Sequence, residues 1–199
     1  MNNLKILFLG SQSSPVFKWL IDEGENVMFT ENIISVDFIL DHKFNFLISY
    51  GYRHILNKKI LSLFGNSTAN LHISFLPYNR GADPNLWSFI ENTPKGVTIH
   101  RLDDGIDTGD IIVQKEIVFN NIEQQTLSTT YEILQSKIQS IFYENWYFIK
   151  NNTIQSSPQQ GKGTSHKAKD KLKYEYLLKE KGWNTKVIDL INPQSNNEN

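Results

Sequence analysis

Short apolar segments alternate with helical segments over the first 75 residues, and this alternation constrains the fold more than any other feature of the chain. Residues Leu4–Leu9 form an almost unbroken apolar run that ends at Gly10, which is typical of a strand buried on both faces of a parallel sheet. Ser14 and Pro15 then mark a helix start, and Gly24 marks its end. Further strands are predicted at Asn26–Thr30, Phe44–Tyr50 and Thr68–Phe75, with a short helix at Ile60–Phe64.

Strands that alternate with helices predict an α/β fold, with an open and mostly parallel sheet between flanking helices. Such sheets bind their ligands beyond the carboxyl ends of the strands. Gly10, Gly51 and the residues around His72 lie at those ends. We therefore expect the functional site along this edge of the sheet.

The second half of the chain predicts a hairpin-like pair of strands, a long helix and a short extension. The strands are Gly96–Leu102 and Ile111–Val118, on either side of an acidic loop. Residues 1–150 are expected to form the main domain, residues 151–192 a linker and a C-terminal helical extension, and residues 193–199 a disordered tail. The apolar residues of the long helix, which runs to about Lys150, recur at spacings of four and three: Leu127, Tyr131, Leu134, Ile138 and Ile141. A charged helix is predicted at Asp170–Lys181.

The composition limits the kinds of partner and chemistry that are expected. The 199 residues include 20 Lys and Arg against 21 Asp and Glu, which argues against the basic face that a nucleic-acid partner needs. The chain has no cysteine, which excludes disulfides, thiolate nucleophiles and cysteine-based zinc sites. No apolar run reaches about 18 residues, the length of a membrane span. We therefore expect a cytoplasmic protein with a small-molecule substrate and no membrane partner.

Three polar residues form a candidate catalytic group. Asn70 and His72 are two residues apart at a predicted strand end, so both side chains point to the same side of the sheet. The acidic loop returns Asp107 from the second apolar run. Each residue alone has an ordinary structural interpretation, but an amide, an imidazole and a carboxylate together can hold a tetrahedral oxyanion and move one proton. This combination indicates acyl transfer.

A series of short motifs runs in order between Asn70 and Gln114. The positions are Asn70-x-His72-x-Ser74-x-Leu76-Pro77, Arg80-Gly81, Gly96-Val97-Thr98-Ile99-His100, Asp104-Gly105-Ile106-Asp107-Thr108-Gly109-Asp110-Ile111 and Gln114. This series resembles the N10-formyltetrahydrofolate-dependent formyltransferases. The family includes glycinamide ribonucleotide transformylase, methionyl-tRNA formyltransferase and the nucleotide-sugar N-formyltransferases. The resemblance covers about a quarter of the chain, and it implies that residues 1–150 are a Rossmann-like formyltransferase catalytic domain.

The resemblance implies a reaction, a co-substrate and roles for the three residues. N10-formyltetrahydrofolate would give its formyl group to a primary amine through a tetrahedral intermediate, with no metal. Asn70 would donate a hydrogen bond to the oxyanion, with His72 beside it as a second donor. Asp107 would pair with His72 and accept or relay the proton that leaves the amine. Ser74 lies outside any G-x-S-x-G motif, so we interpret it as a structural hydroxyl.

By position, the resemblance places the folate between two segments. Ile55 and Leu56 would form an apolar slot for the pterin, and the main chain around Arg53 would contact its edge. The acidic loop, Asp103–Asp107, would cover the other side. Without the downstream motifs, Gly51–Leu56 would be interpreted as a strand end with a packed aromatic residue. The predicted cofactor-binding residues are Tyr52, Arg53, His54, Ile55, Leu56, Asp103, Asp104, Gly105 and Ile106.

Two further motifs look like those of the nucleotide-sugar enzymes. They are Pro-Asn-Leu-Trp at residues 84–87 and Gly161-x-Gly-Thr-x-His166-x-x-x-Asp170. The resemblance therefore implies that the amine belongs to a nucleotide-linked dideoxy amino sugar of surface or lipopolysaccharide biosynthesis. Trp87 is expected to pack in the core rather than to stack on a base. The predicted substrate-binding residues are Pro77, Asn79, Arg80, Gly81 and Asn85.

Several alternatives stay open. Glycinamide ribonucleotide transformylase is the first, although the single glycine of Gly10-Ser-Gln-Ser-Ser-Pro departs from its expected phosphate loop. A methionyl-tRNA formyltransferase-like enzyme is the second, although only about 50 residues follow the long helix. An inactive formyltransferase-like binding domain is the third. The chain lacks a G-x-G-x-x-G motif, and its acidic loop does not have the calcium-loop spacing. The segments after Ile111 are candidate surfaces for a homodimer.

Overall fold

The computed structural model describes residues 4–191 of the chain, so the tail predicted at 193–199 lies outside the described residues. The strands are β1 (Lys5–Leu9), β2 (Asn26–Thr30), β3 (Phe46–Ser49), β4 (Thr68–His72), β5 (Arg80–Gly81), β6 (Gly96–His100), β7 (Ile111–Glu116) and β8 (Ser165–His166). The α-helices are α1 (Pro15–Asp22), α2 (Val36–His42), α3 (Lys58–Ser62), α4 (Pro84–Ile90), α5 (Leu127–Lys150) and α6 (Glu175–Leu178). The 3-10 helices are Ile122–Gln124, Ala168–Tyr174, Gly182–Asn184 and Val187–Leu190.

A six-stranded sheet in the order β2-β1-β3-β4-β6-β7 organises the fold. The pairs β1–β2, β1–β3 and β3–β4 are parallel. Hydrogen bonds from Arg101 N to Asp110 O and from Ile117 N to Lys95 O join the outer ends of β6 and β7, which shows that these two strands run antiparallel. The predicted α/β fold with a mostly parallel sheet is confirmed.

The central strands are apolar on both faces because helices cover both faces. Leu7 and Leu47, which are fully buried, belong to a cluster that includes Ile39 of α2 and Ile60 of α3. On the other face, Phe46 contacts the Trp146 ring of α5 at a centroid separation of 5.4 Å. The apolar runs in the sequence therefore reflect two-sided burial.

Residue contacts divide the described chain into two compact units. Unit 1 contains residues 4–72, 99–113 and 139–159, and unit 2 contains residues 73–98, 114–138 and 160–191. The core of unit 2 combines Leu86 and Phe89 of α4 with Leu127, Val187 and Leu190. The C-terminal residues after 160 thus share a core with α4, and the boundary predicted at residue 150 stays a prediction.

The structure corrects several local predictions. The strand predicted at Thr68–Phe75 ends at His72. The charged helix predicted at Asp170–Lys181 is a 3-10 segment followed by the four-residue α6. Tyr131 is 42% exposed, so it does not belong to the buried side of α5. Helices α2 and α4 and the small parallel pair of β5 and β8 were not predicted.

Glu25 links the start of β2 to the end of α5 inside unit 1. Its Oε1 accepts hydrogen bonds from Trp146 Nε1 at 2.7 Å and from Lys150 Nζ at 2.6 Å. The Glu25 side chain is 11% exposed, so few water molecules can reach its carboxylate in place of these two donors.

We expect Glu25→Ala to lower the free energy of unfolding by about 1–3 kcal/mol, because it leaves a buried donor without its partner. Urea denaturation measures this change. Glu23→Ala is the matched control, because Glu23 is an exposed glutamate of the same turn, and it should change stability by less than about 0.5 kcal/mol. Equal effects of the two variants would contradict the structural role of Glu25.

Candidate active site

Four polar side chains of unit 1 meet at the carboxyl end of β4. Asn70 Nδ2 lies 2.9 Å from His100 Nε2 and 3.1 Å from Asp107 Oδ1. His72 Nδ1 lies 3.6 Å from Asp107 Oδ2, and His100 Nε2 lies 3.3 Å from Asp107 Oδ1. The structure therefore brings the three predicted residues Asn70, His72 and Asp107 together around one carboxylate, with His100 as a fourth member.

Two different strands supply the two histidines. His72 is the last residue of β4 and His100 is the last residue of β6. Asn70, two residues before His72, contacts the same carboxylate, as the alternation of side chains along a strand predicts. Because strands are more rigid than loops, these three side chains have well-defined positions.

The tautomer of His100 follows from its neighbours. His100 Nδ1 lies 2.6 Å from the carbonyl oxygen of Arg101. A carbonyl oxygen only accepts, so Nδ1 carries a hydrogen. In the neutral ring Nε2 is then an acceptor, and it receives a hydrogen bond from Asn70 Nδ2 at 2.9 Å. A protonated His100 would instead donate from Nε2 to Asp107.

The Asn70 amide, predicted to donate to the oxyanion, is hydrogen-bonded within the protein. Both hydrogens of Nδ2 face protein acceptors, namely His100 Nε2 and Asp107 Oδ1. A primary amide has only two such hydrogens. An oxyanion at Asn70 would therefore have to replace one of these two hydrogen bonds.

Solvent reaches the members of the group unequally. The His100 side chain is 1% exposed, whereas His72 is 10% and Asp107 is 16% exposed. A ligand would therefore meet His72 and Asp107 before it meets His100. Low exposure also strengthens the electrostatic interactions within the group, because less water screens them.

The loop that carries Asp107 is organised by its own side chains. Asp103 Oδ1 accepts hydrogen bonds from Gly105 N at 3.1 Å and from Thr108 Oγ1 at 2.7 Å. A Cβ on Gly109 would lie 1.9 Å from the carbonyl oxygen of Arg101, so this position requires glycine. Asp107 itself has a left-handed backbone with φ of 52°, which non-glycine residues adopt rarely.

Arg101 is a buried residue beside the site that the sequence analysis did not single out. Its Nη1 donates to Thr68 O at 2.9 Å and its Nη2 donates to Asn152 Oδ1 at 3.0 Å. Burial lowers the pKa of the Arg101 guanidinium, and the charge of Asp110 partly opposes this. The guanidinium thereby ties the first residue of β4 to the turn after α5. The sequence feature that could have identified this residue is an arginine placed between an apolar strand and the acidic loop.

The predicted folate segment is a surface loop of unit 1. Ile55 is 81% exposed, while Tyr52 and Leu56 pack against the core. The Tyr52 hydroxyl donates to Asn32 O at 2.8 Å, and its ring lies 5.1 Å from that of His54. Arg53 is exposed. These positions leave Ile55 as an exposed apolar side chain of this loop that a ligand can reach.

The acidic half of the predicted folate site lies in the same unit. Lys58 Nζ lies 3.9 Å from Asp104 Oδ2, so the two segments approach each other at the surface. Ile106 is 48% exposed. The Asp103 carboxylate accepts two hydrogen bonds within its own loop through Oδ1, and its contact with a folate stays a prediction.

Asn79 and Asn85, two of the predicted substrate-binding residues, are buried in unit 2. Asn79 has no exposed surface, and its Nδ2 donates to Thr93 Oγ1 at 2.8 Å. Asn85 is 1% exposed, and its Nδ2 donates to Leu127 O and Thr130 Oγ1. Both amides join parts of unit 2, as buried amides commonly do. Substrate binding by these two residues stays a prediction.

The other predicted substrate-binding residues lie against the glycine motif of the C-terminal segment. The Pro77 carbonyl accepts from Thr164 N at 3.2 Å, and a Cβ on Gly163 would lie 2.2 Å from the same carbonyl oxygen. Arg80 and Gly81 pair with β8 and are partly exposed. Residues Gly163–His166 thus hold the Pro77–Gly81 segment, and ligand binding by Pro77, Arg80 and Gly81 stays a prediction.

Trp87 packs in the core of unit 2, as expected. It is 4% exposed, and its ring stacks on the His166 ring at a centroid separation of 3.9 Å. His166 Nε2 in turn lies 3.1 Å from Glu91 Oε1. The histidine of the glycine motif therefore completes an aromatic stack.

The model of the protein family described as "Formyl transferase" matches residues 26–145, which is more than half of the chain. The matched region contains all four converging side chains. The chain therefore belongs to the formyl transferase family. The predicted resemblance to this family is confirmed.

Two solved structures show how similar this chain is to known formyltransferases. The formyltransferase PseJ from Anoxybacillus kamchatkensis has a sequence 45% identical to this chain. Its crystal structure is a complex with UDP-4,6-dideoxy-4-formamido-L-AltNAc and tetrahydrofolate. The match covers 94% of this chain and 97% of PseJ, with a TM-score of 0.88. An N-formyltransferase from Helicobacter canadensis, in complex with folinic acid and dTDP-3-aminofucose, is 21% identical over 85% of this chain and 72% of that chain, with a TM-score of 0.66. It shows a shared fold.

Among curated proteins, methionyl-tRNA formyltransferase from Prochlorococcus marinus subsp. pastoris (strain CCMP1986 / NIES-2087 / MED4) is 36% identical over 132 residues. This match covers 63% of this chain and 40% of that protein. The chain thus spans about two fifths to a half of the length of the curated relatives it first matches.

The left-handed backbone of Asp107 leads to a prediction about stability. Asparagine adopts this conformation readily, whereas a β-branched residue does not. We expect Asp107→Asn to keep the free energy of unfolding within about 1 kcal/mol of the wild type, and Asp107→Val to lower it by a further 1–2 kcal/mol or so. Urea denaturation of both variants measures the difference, and equal stabilities would contradict the strain at this residue.

Proposed function

We propose that this protein transfers the formyl group of N10-formyltetrahydrofolate to the 4-amino group of a UDP-linked 4-amino-4,6-dideoxy-L-AltNAc sugar. One observation carries the proposal: a carboxylate, two imidazoles and an amide converge in a chain that is 45% identical to PseJ over 97% of PseJ. PseJ was crystallised with a 4-formamido sugar and tetrahydrofolate. Those two molecules correspond to the two products of the proposed reaction.

The proposed chemistry uses each member of the group in one role. The amine nitrogen attacks the formyl carbon, and the formyl oxygen becomes negative in the tetrahedral intermediate. Asn70 Nδ2 then donates to this oxygen in place of one of its protein acceptors. His72 acts as a second donor. Such donors typically contribute about 10²–10³ in rate each.

The proton balance assigns a role to Asp107. The attacking nitrogen loses one proton, and the bond from the formyl carbon to N10 breaks as N10 gains one. Asp107 lies within 3.6 Å of His72 Nδ1, and it is among the more exposed members of the group. It accepts the proton from the amine and passes it towards N10. The tetrahedral intermediate collapses to the formamide and tetrahydrofolate, with no covalent enzyme intermediate.

The folate is proposed to lie along the loop of residues 51–56 and the acidic loop. An exposed isoleucine beside a polar main chain suits a flat heterocycle with a polar edge. In this arrangement Ile55 covers one face of the pterin, and Asp104 and Ile106 border the other side. A pathway in surface polysaccharide biosynthesis, a cytoplasmic location and a homodimer stay predictions. Within residues 4–191 no helix has both the length and the apolar character to cross a membrane.

A tRNA substrate is the second candidate, because curated methionyl-tRNA formyltransferases are up to 42% identical to parts of this chain. That 42% match covers only 23% of the relative. The formal net charge of −1 also gives little general attraction to a polyanion. These observations favour the amino sugar over the tRNA.

An amine screen tests the proposed function directly. The purified chain is incubated with N10-formyltetrahydrofolate, and the release of tetrahydrofolate is followed with each amine in turn. We expect turnover with the UDP-linked 4-amino sugar and much slower turnover with dTDP-linked 3-amino sugars, glycinamide ribonucleotide or charged initiator tRNA. Turnover with the tRNA alone would overturn the sugar assignment. No turnover with any amine would support a binding domain without activity.

Substitutions test the assigned roles. We expect Asn70→Ala, His72→Ala and Asp107→Asn each to lower kcat by at least about 10²-fold, since each removes a group that stabilises the transition state. Steady-state kinetics with the accepted amine measures the loss. Asp41→Asn, an exposed carboxylate near the end of α2, is the matched control and should keep wild-type kcat. A near-normal rate in one of the three variants would remove that residue from the mechanism.

A further inference from the structure

The start of the segment predicted as a linker after residue 150 contacts the acidic loop. Ile111 N donates to Ser157 O at 2.8 Å, and Ser157 N donates to Ile111 O at 2.9 Å. This reciprocal pair fixes residue 157 against the first residue of β7. Gln159 follows two residues later and reaches the acidic loop. All of these residues belong to unit 1.

Gln159 binds the backbone on both sides of Thr108. Its Nε2 donates to Asp107 O at 2.8 Å and to Gly109 O at 2.9 Å. A side-chain amide has two hydrogens on its nitrogen, so both are used for this purpose. One side chain thus holds the carbonyl of the candidate catalytic residue and the carbonyl two residues beyond it.

Asp107 needs such support because its own conformation is unfavourable. A left-handed φ of 52° costs a non-glycine residue about 1 kcal/mol or more and persists only where the surroundings impose it. Inside the loop, Thr108 is held by Asp103. From outside the loop, Gln159 donates hydrogen bonds to the carbonyls of residues 107 and 109.

We infer that Gln159 is a positioning residue for Asp107. By fixing the two carbonyls, it sets the direction of the Cα–Cβ bond of Asp107 and so the position of the carboxylate between His72 and His100. The inference rests on the proposed function, in which that carboxylate moves the proton. A displacement of about 1 Å in such a group can cost about 10²-fold in rate, although Gln159 itself touches no reacting atom.

Two substitutions separate positioning from simple packing. Gln159→Met keeps the length of the side chain but removes both donors. Gln159→Glu keeps the shape and places a carboxylate oxygen where the nitrogen donates, facing two carbonyl oxygens. Gln155→Met is the matched control, because Gln155 is exposed on the same segment.

We expect kcat to fall about 10-fold or more in Gln159→Met and further in Gln159→Glu. The KM values for the folate and for the amine should stay within about twofold, and the Tm should stay within a few degrees of the wild type. The control should match the wild type in all four quantities. A wild-type kcat in both Gln159 variants would overturn the inference, and so would a loss of kcat that follows a loss of Tm or that occurs equally in the control.

A second measurement keeps the inference separate from the proposed function. Hydrogen–deuterium exchange of a peptide that spans residues 103–110 should be faster in Gln159→Met than in the wild type and in Gln155→Met. This readout needs no substrate. If the wild type turns over none of the amines, the proposed function fails, and the exchange rates alone decide whether Gln159 holds the loop. Unchanged exchange in Gln159→Met would overturn its role.

Discussion

The contacts of the Asp107 carboxylate join parts of the chain that are otherwise far apart in sequence. Its Oδ1 lies within 3.3 Å of both Asn70 Nδ2 and His100 Nε2, and its Oδ2 faces His72 Nδ1. A carboxylate with 16% exposure loses much of its hydration, and the hydrogen bond from the Asn70 amide replaces part of the lost water. Strands β4 and β6 and the acidic loop thereby meet at one charged group.

The members of this group differ in how they are held. Asn70, His72 and His100 stand on strands whose hydrogen-bonded neighbours fix their backbones, whereas Asp107 stands on a loop in a left-handed conformation. A loop residue can approach the strands from outside the sheet, which a strand residue cannot do. Its position then depends on the hydrogen bond between Thr108 and Asp103 within the loop and on the hydrogen bond from Gln159 outside the loop. This difference accounts for the hydrogen bonds from side chains to the backbone of the acidic loop.

Sequence patterns predicted two kinds of element: helices whose buried residues recur periodically, and strands that are buried on both faces. The strand β1 was predicted within one residue of its observed bounds, and the helix α5 ends at Lys150, where its end was predicted. A continuous apolar run and a 3.6-residue repeat are strong signals. Helix α4 was missed because Asn85 and Ser88 are buried together with its apolar residues, so it has no polar face. The pair of β5 and β8 was missed because strands of two residues have no periodicity.

Three asparagines show what a residue type alone leaves undetermined. Asn79 and Asn85 have the same residue type as Asn70, and all three are buried. Only Asn70 faces a carboxylate and an imidazole, whereas the other two bind threonine hydroxyls and a backbone carbonyl. Residue type specifies which hydrogen bonds a side chain can form. It does not specify the partner, because the partner comes from another element.

The sequence by itself determined the α/β class and the shared direction of Asn70 and His72, since local periodicity and a two-residue spacing suffice for these. It also indicated the family, through the resemblance of the motif series between Asn70 and Gln114. The tertiary structure decided that His100 completes the group, that both hydrogens of the Asn70 amide are already bonded, and that Gln159 holds the loop of Asp107. These contacts join residues 30 to 52 positions apart in the chain. They depend on strand order and loop path, which arise from packing of the whole domain and leave no local pattern in the sequence.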